Sequence, residues 1–533
     1  MKGGGRVSDE KDITMAFGEH GPGMFDDRFG RAELLRKSGR LAAAGALATP
    51  LFAGAAEAFA SSAVAAADPV AARAVAAAKQ FSGVTLTTIR ETGPQAADDK
   101  LFGAPLWKKL TGIELKVIES PFGPVYTKQI AEHVAKSGAI DVIEAAGGWI
   151  PDYADRGVMV PIDDFIKKYG AQASLKDIHP AYRSLATYKG KTWGFFDDGD
   201  VWMLYYRKDI FANGKLKAAY RAKYNKSLRV PRTWDEMVEV SQFITDQLAP
   251  AVYGQGMTRA LGNPGNYFYF YQTFRSFGGR FFNPTTMKTE INGPAGIRAM
   301  KVILAELAAS PPGSDKSDFL TMWTTWLQGK TAMIYTWPPT GRISENYAQR
   351  DKAFSFLPKS KIVGKVGYTT VPGKNGWINA IIRGVSPDSK NIDAAYLFTQ
   401  WNTSPSISGQ RVQLPYSLRD PYRISHYKSK SYQSRWPAAK EYLRALNDAA
   451  NYGVVELIMT GAGDYANALD RAMTAVYAGK DVEDALNDVA KEWDAITNKI
   501  GVPKARASYL NFLKLTGSTS KNTAAAKGQG VKV

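Results

Sequence analysis

Three carboxylates stand close together in the segment YKGKTWGFFDDGDVWMLYYRKDIF, which covers residues 188–211. Asp197, Asp198 and Asp200 could form a metal site, supply an acid/base pair, or accept hydrogen bonds in a pocket for a polar, uncharged ligand. A calcium loop needs oxygen ligands that continue at alternate positions and end in a distal Glu. The apolar residues 201–203 follow instead and cannot coordinate a metal. The spacing therefore predicts no metal site and leaves the other two interpretations open.

Aromatic residues beside turns form a second group with possible binding chemistry. Trp149 follows a Gly-Gly pair, Trp337 precedes Pro-Pro, and Trp377 follows Asn-Gly. Tryptophan and tyrosine offer a flat apolar face with a polar handle, which suits the apolar C–H faces and surrounding hydroxyls of a sugar ring. Turn-side aromatics together with carboxylates favour a sugar pocket. Ordinary packing in the core or at its rim is an equally good interpretation of any one of these tryptophans.

Cysteine is absent and the four histidines are scattered. The composition therefore excludes disulfides, thiol nucleophiles and thiolate metal sites, and it excludes zinc sites of the HExxH kind. A GxSxG elbow, a P-loop and a dinucleotide fingerprint with its distal acid are also missing from the sequence. We expect no catalytic residues, no bound metal and no cofactor.

The net charge of +18 belongs to the folded part of the chain, because residues 1–60 hold eight Lys/Arg and eight Asp/Glu. Basic and acidic residues alternate along the sequence, which indicates a dispersed, solvated surface. Nucleic-acid binding needs basic residues interleaved with aromatics on one face. The most aromatic segment, residues 267–275, has one cation and is more typical of a core helix. We expect no nucleic-acid partner.

The N-terminal region has the layout of an export signal. Basic residues between 31 and 40 precede an apolar stretch over 41–56, which ends in the small-residue pattern Ala58-Phe59-Ala60. The segment resembles a twin-arginine signal in which Ala32 replaces the second arginine. We therefore expect a periplasmic protein, with residues 1–67 forming an N-terminal extension and export signal.

Periodicity predicts alternating strands and helices after this extension. Residues 83–90 alternate apolar and polar side chains as a strand does, a second strand ends near residue 120, and a third covers 140–146 before a Gly turn. Helical segments separate them, and this alternation is typical of a parallel, wound α/β lobe. Ligands of such sheets bind beyond the carboxyl ends of the strands, which places Gly147, Gly148 and Trp149 at a cleft edge. A chain of 533 residues predicts two lobes.

Further along, Thr233 is a predicted N-cap with Glu236 three residues later, and residues 295–310 and 481–500 predict amphipathic helices. The last residues, 516–533, are poor in apolar side chains and are expected to form a disordered tail.

Seven segments in series resemble the bacterial extracellular solute-binding proteins of the sugar-binding class, the group of maltose-binding protein, which serve ABC importers. They span about residues 83–500, and they are DVIEAAGGWIPDYADRGVMVPIDDFI, YKGKTWGFFDDGDVWMLYYRKDIF, VPRTWDEMVEVSQFIT, SFGGRFFNP, LQGKTAMIYTW, SKNIDAAYLFTQWNTSP and ALDRAMTAVYAGKDVEDALNDV.

The resemblance implies an α/β, two-lobed periplasmic-binding-protein fold of type II-like topology, with the cleft between lobes and several hinge crossings. The first lobe would comprise 82–199 plus 350–410, and the second 200–349 plus 411–515. It implies a monomer without enzymatic activity that captures a carbohydrate or polyol and delivers it to an ABC transporter permease. The implied ligand-binding residues are Trp149, Asp200, Phe268, Tyr269, Trp337, Trp377 and Arg419.

Asp197 and Asp198 are then interpreted as hinge or rim residues. Two segments, 213–229 and 411–437, depart from the smallest family members and could reshape the cleft. Two other functions remain open. A secreted glycoside-cleaving enzyme would need a cleft carboxylate of raised pKa, and a receptor for an anionic solute such as a sugar phosphate would need two or more cations converging on the cleft.

Overall fold

The structure is a computed structural model that describes residues 68–262, 265–351 and 354–518. The predicted export signal and residues 519–533 of the predicted tail lie outside the described residues. The last described helix continues to Ser518, which is three residues into the segment predicted to be a disordered tail.

The described part of the chain contains thirteen β-strands. In chain order they are β1 (Thr85–Glu91), β2 (Glu114–Ser120), β3 (Val142–Ala146), β4 (Thr187–Tyr188), β5 (Lys191–Thr192), β6 (Phe195–Asp198), β7 (Met203–Arg207), β8 (Tyr253–Gly256), β9 (Thr331–Thr336), β10 (Val366–Thr369), β11 (Trp377–Ile378), β12 (Ile381–Val385) and β13 (Val454–Val455).

The α-helices pack around these strands. They are α1 (Pro69–Ala78), α2 (Pro94–Asp98), α3 (Ala104–Thr111), α4 (Phe122–Val134), α5 (Ile150–Arg156), α6 (Asp163–Tyr169), α7 (Gln172–Lys176), α8 (Lys208–Ala212), α9 (Gly214–Tyr224), α10 (Trp234–Leu248), α11 (Gly265–Ser276), α12 (Pro294–Ala308), α13 (Phe319–Leu327), α14 (Pro339–Ser344), α15 (Ile392–Asn402), α16 (Pro405–Arg411), α17 (Ile424–Lys428), α18 (Lys430–Gln433), α19 (Ala439–Tyr452), α20 (Ala462–Tyr477), α21 (Val482–Ile500) and α22 (Val502–Ser518).

The first sheet has the strand order β2-β1-β3-β12-β6. Strand β1 is parallel to β2 and β3, with Thr88 opposite Val142, so the predicted parallel, wound arrangement is confirmed for these three strands. Strand β12 returns from much later in the chain and pairs antiparallel with both β3 and β6. Helices α4 and α15 contact β3, and all five residues of this strand are buried.

The second sheet has the order β10-β7-β9-β8. Strand β7 pairs antiparallel with β9 and β10, and β8 lies parallel to β9. Helix α10 packs against β8 and begins as predicted, because the Thr233 Oγ1 accepts a hydrogen bond from the Glu236 N–H at 3.2 Å. The aromatic segment 267–275 lies in helix α11, as expected.

The chain crosses between the two sheets more than once, so the two-lobed fold is confirmed. It leaves the first sheet at Asp198 and enters the second at Met203, and it returns between Thr369 and Ile381. The predicted division assigned 350–410 to the first lobe. Strand β10 lies inside that range, but it pairs antiparallel with β7 and therefore belongs to the second sheet.

In the part of the chain that the structure describes, each helix falls short of the length and apolar character needed to cross a membrane.

Candidate ligand-binding cleft

The carboxyl ends of β1 and β3 meet the hinge at one edge of the first sheet. Strand β3 runs into Gly147 and Gly148, which lie against polar side chains of the hinge. A Cβ on Gly147 would stand 2.5 Å from Asn379 Oδ1, and one on Gly148 would stand 2.8 Å from Glu456 Oε1. Glycine at both positions therefore lets the hinge side chains approach the sheet edge. The cleft edge therefore lies beyond the carboxyl ends of the parallel strands, as predicted.

Three segments converge to form the hinge. The Asp200 carbonyl accepts a hydrogen bond from the Asn379 N–H at 3.1 Å, and the Trp202 N–H donates to the Trp377 carbonyl at 2.8 Å. Strand β11 pairs in parallel with β13. Asn379 Nδ2 then donates to Glu456 Oε1 at 2.8 Å. Backbone pairing thus brings Asp200, Asn379 and Glu456 to one place from three distant parts of the sequence.

Aromatic side chains from the second lobe and the hinge form one wall. The rings of Phe268 and Trp377 stack with centroids 4.0 Å apart. Trp337 meets both of them edge-on, at 6.3 Å from Phe268 and 5.9 Å from Trp377. Phe268 and Trp377 are buried, whereas Trp337 is partly exposed. Trp337 therefore presents the accessible ring of this wall.

Trp149 lies at the end of β3 in the first lobe, directly after Gly148, and forms a separate aromatic cluster. Its ring centroid lies 4.7 Å from that of Phe122 and 5.3 Å from that of Tyr126, both in helix α4. It keeps partial exposure. Near Trp149, Asp152 of the first lobe accepts a hydrogen bond from the Gly461 N–H of the second lobe. The two aromatic groups thus belong to lobes that touch each other.

The structure brings together five of the seven predicted ligand-binding residues and leaves two elsewhere. Tyr269 is fully buried behind the aromatic wall, where its hydroxyl donates to the Tyr335 carbonyl at 3.3 Å. It faces the core because helical spacing turns it away from Phe268. Tyr267, two positions earlier, is partly exposed. The residues that lie at the cleft are Trp149, Asp200, Phe268, Trp337 and Trp377.

Arg419 is also absent from the cleft wall. It is 1% exposed, its Nη2 donates to the Gln95 carbonyl at 2.7 Å, and its Nε lies 3.3 Å from Asp98. The Arg419 guanidinium therefore forms buried ion pairs with Asp98 and Asp198.

Asp197 and Asp198, which were interpreted as hinge or rim residues, are each 1% exposed and therefore not rim residues. Asp197 lies within β6 and pairs with Arg383 at 3.1 Å, whereas Asp198 ends β6 where the chain leaves the first sheet.

Sequence reasoning missed three polar side chains of the cleft. Glu91 is the last residue of β1, which lies beside β3. Because ligands bind beyond the carboxyl ends of parallel strands, Glu91 could have been predicted as a cleft residue from the sequence. Asn379 and Glu456 adjoin strands of only two residues, and such short strands leave no periodic signal in the sequence. Only the pairing of β11 with β13 places them at the site.

Burial dominates the electrostatics of the cleft carboxylates. It raises the pKa of Glu91 to about 8, and the charges of Glu144 and Asp200 act in the same direction. Burial raises the pKa of Asp200 to about 7. Burial raises the pKa of Glu456 to about 8, with a further increase from Asp200 and an opposing hydrogen bond from Trp377. Glu91 and Glu456 therefore keep most of their protons at neutral pH, and Asp200 is about half protonated.

A second carboxylate group adjoins the first at Asp200. Single carboxylate oxygens of Asp198, Asp200 and Asp420 lie within 4.8 Å of one another. The spacing of residues 197–203 does not reveal this group, because Asp420 comes from far along the chain. Burial and mutual repulsion raise the pKa of Asp198 well above its usual range. The Arg419 and Arg342 guanidiniums, each 3.4 Å from its acid, already supply positive charge to Asp198 and Asp420 respectively.

The raised pKa of Glu456 predicts a pH-dependent stability of the ligand-free protein. The folded state keeps a proton on Glu456 up to about pH 8, whereas an unfolded glutamate loses it near pH 4.3. Its contribution to stability is thus fully present below about pH 4.3 and declines as the pH rises to about 8, with a slope of up to about 1.4 kcal/mol per pH unit. The Gln side chain of Glu456→Gln cannot ionise. Its free energy of unfolding, relative to that of the wild type, should therefore increase between pH 5 and pH 8.

Urea unfolding at pH 5, 6, 7 and 8 measures this difference. Glu483→Gln, which removes an exposed carboxylate from helix α21, is the control and should run parallel to the wild type. A difference between Glu456→Gln and the wild type that stays constant with pH would contradict the prediction.

Comparisons with known proteins agree with this architecture. A family model described as bacterial extracellular solute-binding protein matches residues 89–407. A probable amino-acid ABC transporter periplasmic-binding protein, y4oP of Sinorhizobium fredii, is 27% identical over 388 residues, which are 70% of this chain and 81% of the relative.

Two solved structures share the fold. One is an ABC transporter solute-binding protein of Agrobacterium radiobacter in complex with ribitol, with a TM-score of 0.62 and 24% identity, covering 78% of this chain and 99% of that one. The other is the maltose-bound MalE3 of T. maritima, with a TM-score of 0.62 and 19% identity, covering 78% of this chain and 100% of that one.

Proposed function

The chain belongs to the bacterial extracellular solute-binding protein family, and we propose that it captures a carbohydrate or polyol between its lobes and delivers it to the permease of an ABC importer. The observation that carries the ligand class is the pairing of aromatic side chains with carboxylates. Trp149 and Trp337 are both partly exposed, and Asp200, Glu91 and Glu456 at the hinge can bind hydroxyls. Similar folds bind ribitol and maltose, which supports the same class here.

Ligand binding would work through closure of the lobes. The hinge contacts between Asp200, Asn379 and Glu456 lie at the base of the cleft, and the contact of Asp152 with Gly461 lies between the lobes. A ligand shifts the balance between open and closed forms only by its greater affinity for the closed form. Contacts of one ligand with both Trp149 and Trp337 would require the lobes to be together. The loaded, closed protein, acting as a monomer, would be the form that the permease recognises.

Members of this family are exported or periplasmic proteins. The basic and apolar segment over residues 31–60 supports export of this chain, and its resemblance to a twin-arginine signal suggests that route. An anionic ligand is disfavoured, because carboxylates surround the described cleft. A glycoside-cleaving enzyme would share the raised pKa of a cleft acid, but the family consists of transport proteins.

A thermal-shift screen against neutral sugars, polyols and sugar phosphates tests the ligand class. A true ligand present at a hundredfold excess over its Kd should add about 2.7 kcal/mol of stability, with a saturable dependence on concentration. Because sugars at high concentration also stabilise proteins by exclusion from the surface, the control is a non-binding sugar at equal concentration.

The bound sugar should be recovered unchanged from the complex at a stoichiometry of about one per chain. Turnover of the sugar would favour the enzyme instead. If only sugar phosphates gave a saturable shift, the proposal would fail in favour of the anionic alternative. If no compound in the complete screen gave a saturable shift, the proposal of carbohydrate binding would be contradicted.

A further inference from the structure

Three lysines meet at one end of the sheet of the second lobe. Lys208 directly follows β7, Lys330 directly precedes β9 and Lys365 directly precedes β10. Strand β7 lies between β9 and β10, and neighbouring strands are about 4.8 Å apart. The Lys208 N–H donates to the Lys365 carbonyl at 2.7 Å. Because β9 runs from Lys330 towards Trp337 of the aromatic wall, this end of the sheet is the one distant from the cleft.

The loop over residues 355–365 adds two more lysines to this end of the lobe. Leu357 and Ile362 are buried and fix the loop to the lobe, and the Lys361 N–H donates to the Leu327 carbonyl at 2.8 Å. Leu327 ends helix α13, three residues before Lys330. The exposed side chains of this loop include Phe356, Lys359, Lys361, Val363 and Lys365. These five residues together with Lys208 and Lys330 form the distal patch.

The positive charge of the distal patch faces solvent. Within the described chain, none of its five lysines forms an ion pair. The two nearby acids already have other partners. The Asp209 carboxylate accepts hydrogen bonds from the Arg207 guanidinium at 2.8 Å and 2.7 Å, and the Glu345 carboxylate accepts one from the Gly364 N–H at 3.1 Å. The lysines are therefore available to an anionic partner.

Apolar side chains are exposed in the same patch and narrow the class of partner. Phe356 and Val363 are two of the five large apolar side chains that the described part of the chain exposes. Lysines alone would suit a soluble polyanion as well as a membrane. Apolar side chains among lysines are typical of proteins that lie on an anionic bilayer, because the lysines meet the headgroups while the apolar side chains enter the boundary with the acyl chains. The combination favours a phospholipid bilayer.

We propose that the distal patch binds the surface of an anionic phospholipid bilayer. Each lysine near such a surface contributes about 1 kcal/mol, and the attraction falls off within a Debye length. The six residues of β9 separate Lys330 from Trp337 by about 20 Å of strand. A molecule held by the distal patch therefore keeps its cleft away from the bilayer and accessible to a dissolved ligand. The binding of lipid is independent of which ligand the cleft takes.

Co-sedimentation of the purified protein with phospholipid vesicles tests this proposal. One set of vesicles consists of phosphatidylcholine alone, and the other contains equal parts of phosphatidylcholine and phosphatidylglycerol. In about 50 mM NaCl, we expect the protein to bind the anionic vesicles about tenfold or more tightly than the neutral ones. In about 500 mM NaCl this preference should fall severalfold, because salt screens the attraction between exposed charges.

The triple variant Lys359→Gln/Lys361→Gln/Lys365→Gln removes three exposed charges from the distal patch. Its affinity for the anionic vesicles should be about tenfold or more below that of the wild type. Phe356→Ser should lower this affinity about fivefold, because it removes an apolar side chain that enters the bilayer. All four side chains are exposed, so the variants should fold as the wild type does, which circular dichroism checks.

The matched control removes the same charge from another part of the second lobe. Lys499→Gln/Lys504→Gln/Lys514→Gln changes exposed lysines of helices α21 and α22. Helix α21 contacts α12, and α12 contacts β8 at the edge of the sheet opposite β10. The control variant should bind the anionic vesicles within about twofold of the wild type, because its lysines lie more than a Debye length from a bilayer docked on the patch.

The outcomes distinguish the distal patch from the charge of the whole protein. An equal loss of affinity in both triple variants would overturn the proposal and assign vesicle binding to the net charge of +18. Equal binding of the wild type to neutral and anionic vesicles, or no binding to either, would also overturn it. The patch variant should bind the ligand of the cleft as tightly as the wild type does. A failure of vesicle binding would therefore leave carbohydrate capture intact, and a failed sugar screen would leave the patch proposal standing.

Discussion

Replacing Arg411 with methionine is expected to lower the free energy of unfolding by about 3–5 kcal/mol, because it leaves buried carboxylates without their partner. The Arg411 Nε and Nη2 lie 2.9 Å and 2.6 Å from Asp98 Oδ2, and its Nη1 donates to Asp197. Arg411 is fully buried, so water cannot replace these contacts. Methionine keeps most of the apolar stem, which makes the lost charge the main change.

Arg411 belongs to a buried ion network that ties the end of helix α16 to the first sheet, although residues 411–515 were predicted for the second lobe. Burial alone would raise the pKa of Asp197, but the Arg383, Arg411 and Arg90 guanidiniums outweigh it and hold that pKa well below its usual range. Asp98 keeps a pKa of about 6, raised by burial and opposed by Arg411. Removing Arg411 would raise both values and favour protonation. The network consists of Arg90, Arg383, Arg411, Arg419, Asp98, Asp99, Glu144 and Asp197.

Chemical denaturation of the wild type and the variant at pH 7 measures this effect. Arg471→Met is the matched control, because Arg471 pairs with Glu492 on the surface and both side chains are about half exposed. Exposed pairs contribute about 0–1 kcal/mol, so the control should unfold close to the wild type. A loss below about 1 kcal/mol for Arg411→Met would show that the network does not stabilise the lobe as described.

Replacing Trp337 with alanine is expected to weaken ligand binding by about 1–3 kcal/mol, equivalent to a Kd increase of about 5- to 150-fold. Trp337 presents the accessible ring of the second-lobe wall, and it rests edge-on against Phe268 and Trp377. The substitution removes the face on which a sugar ring would stack. Trp337→Phe keeps an aromatic face and should lose less.

Titration calorimetry with the ligand found in the thermal-shift screen measures the change in Kd, and circular dichroism checks that the variant folds. Phe356→Ala removes an exposed aromatic ring and should leave the Kd unchanged. A Kd for Trp337→Ala within twofold of the wild type would remove Trp337 from the binding site.

Local patterns in the sequence predicted the regular elements well. The alternation over residues 83–90 became β1, and the apolar run before Gly147 became β3. The N-cap at Thr233 formed as its side-chain chemistry required. The tryptophans beside turns led to three cleft residues, since turns at strand ends lie at sheet edges. Each of these features depends on neighbours within a few residues.

Features that depend on distant pairing were missed. Strand β10 was assigned to the first lobe, but its partner β7 lies in the second sheet. Arg419 was expected at the ligand, yet Asp98 and Asp198 draw it into buried ion pairs. Tyr269 was expected at the ligand because the family resemblance implied aromatic platforms at Phe268 and Tyr269, although only the packing of helix α11 shows which ring faces inward.

The sequence by itself predicted alternating strands and helices, because hydrophobic periodicity and turn chemistry are local properties, and its length predicted two lobes. The solute-binding family followed from the resemblance of seven segments in series. It also indicated Asp200 as the notable acid of the first crossing. Only the tertiary structure decided that Glu91 and Glu456 stand beside Asp200, while Asp197 belongs to a buried arginine network. The strands that place Glu456 are two residues long and pair residues that are 77 positions apart, Trp377 with Val454. The charge of the cleft is therefore a property of how distant segments meet.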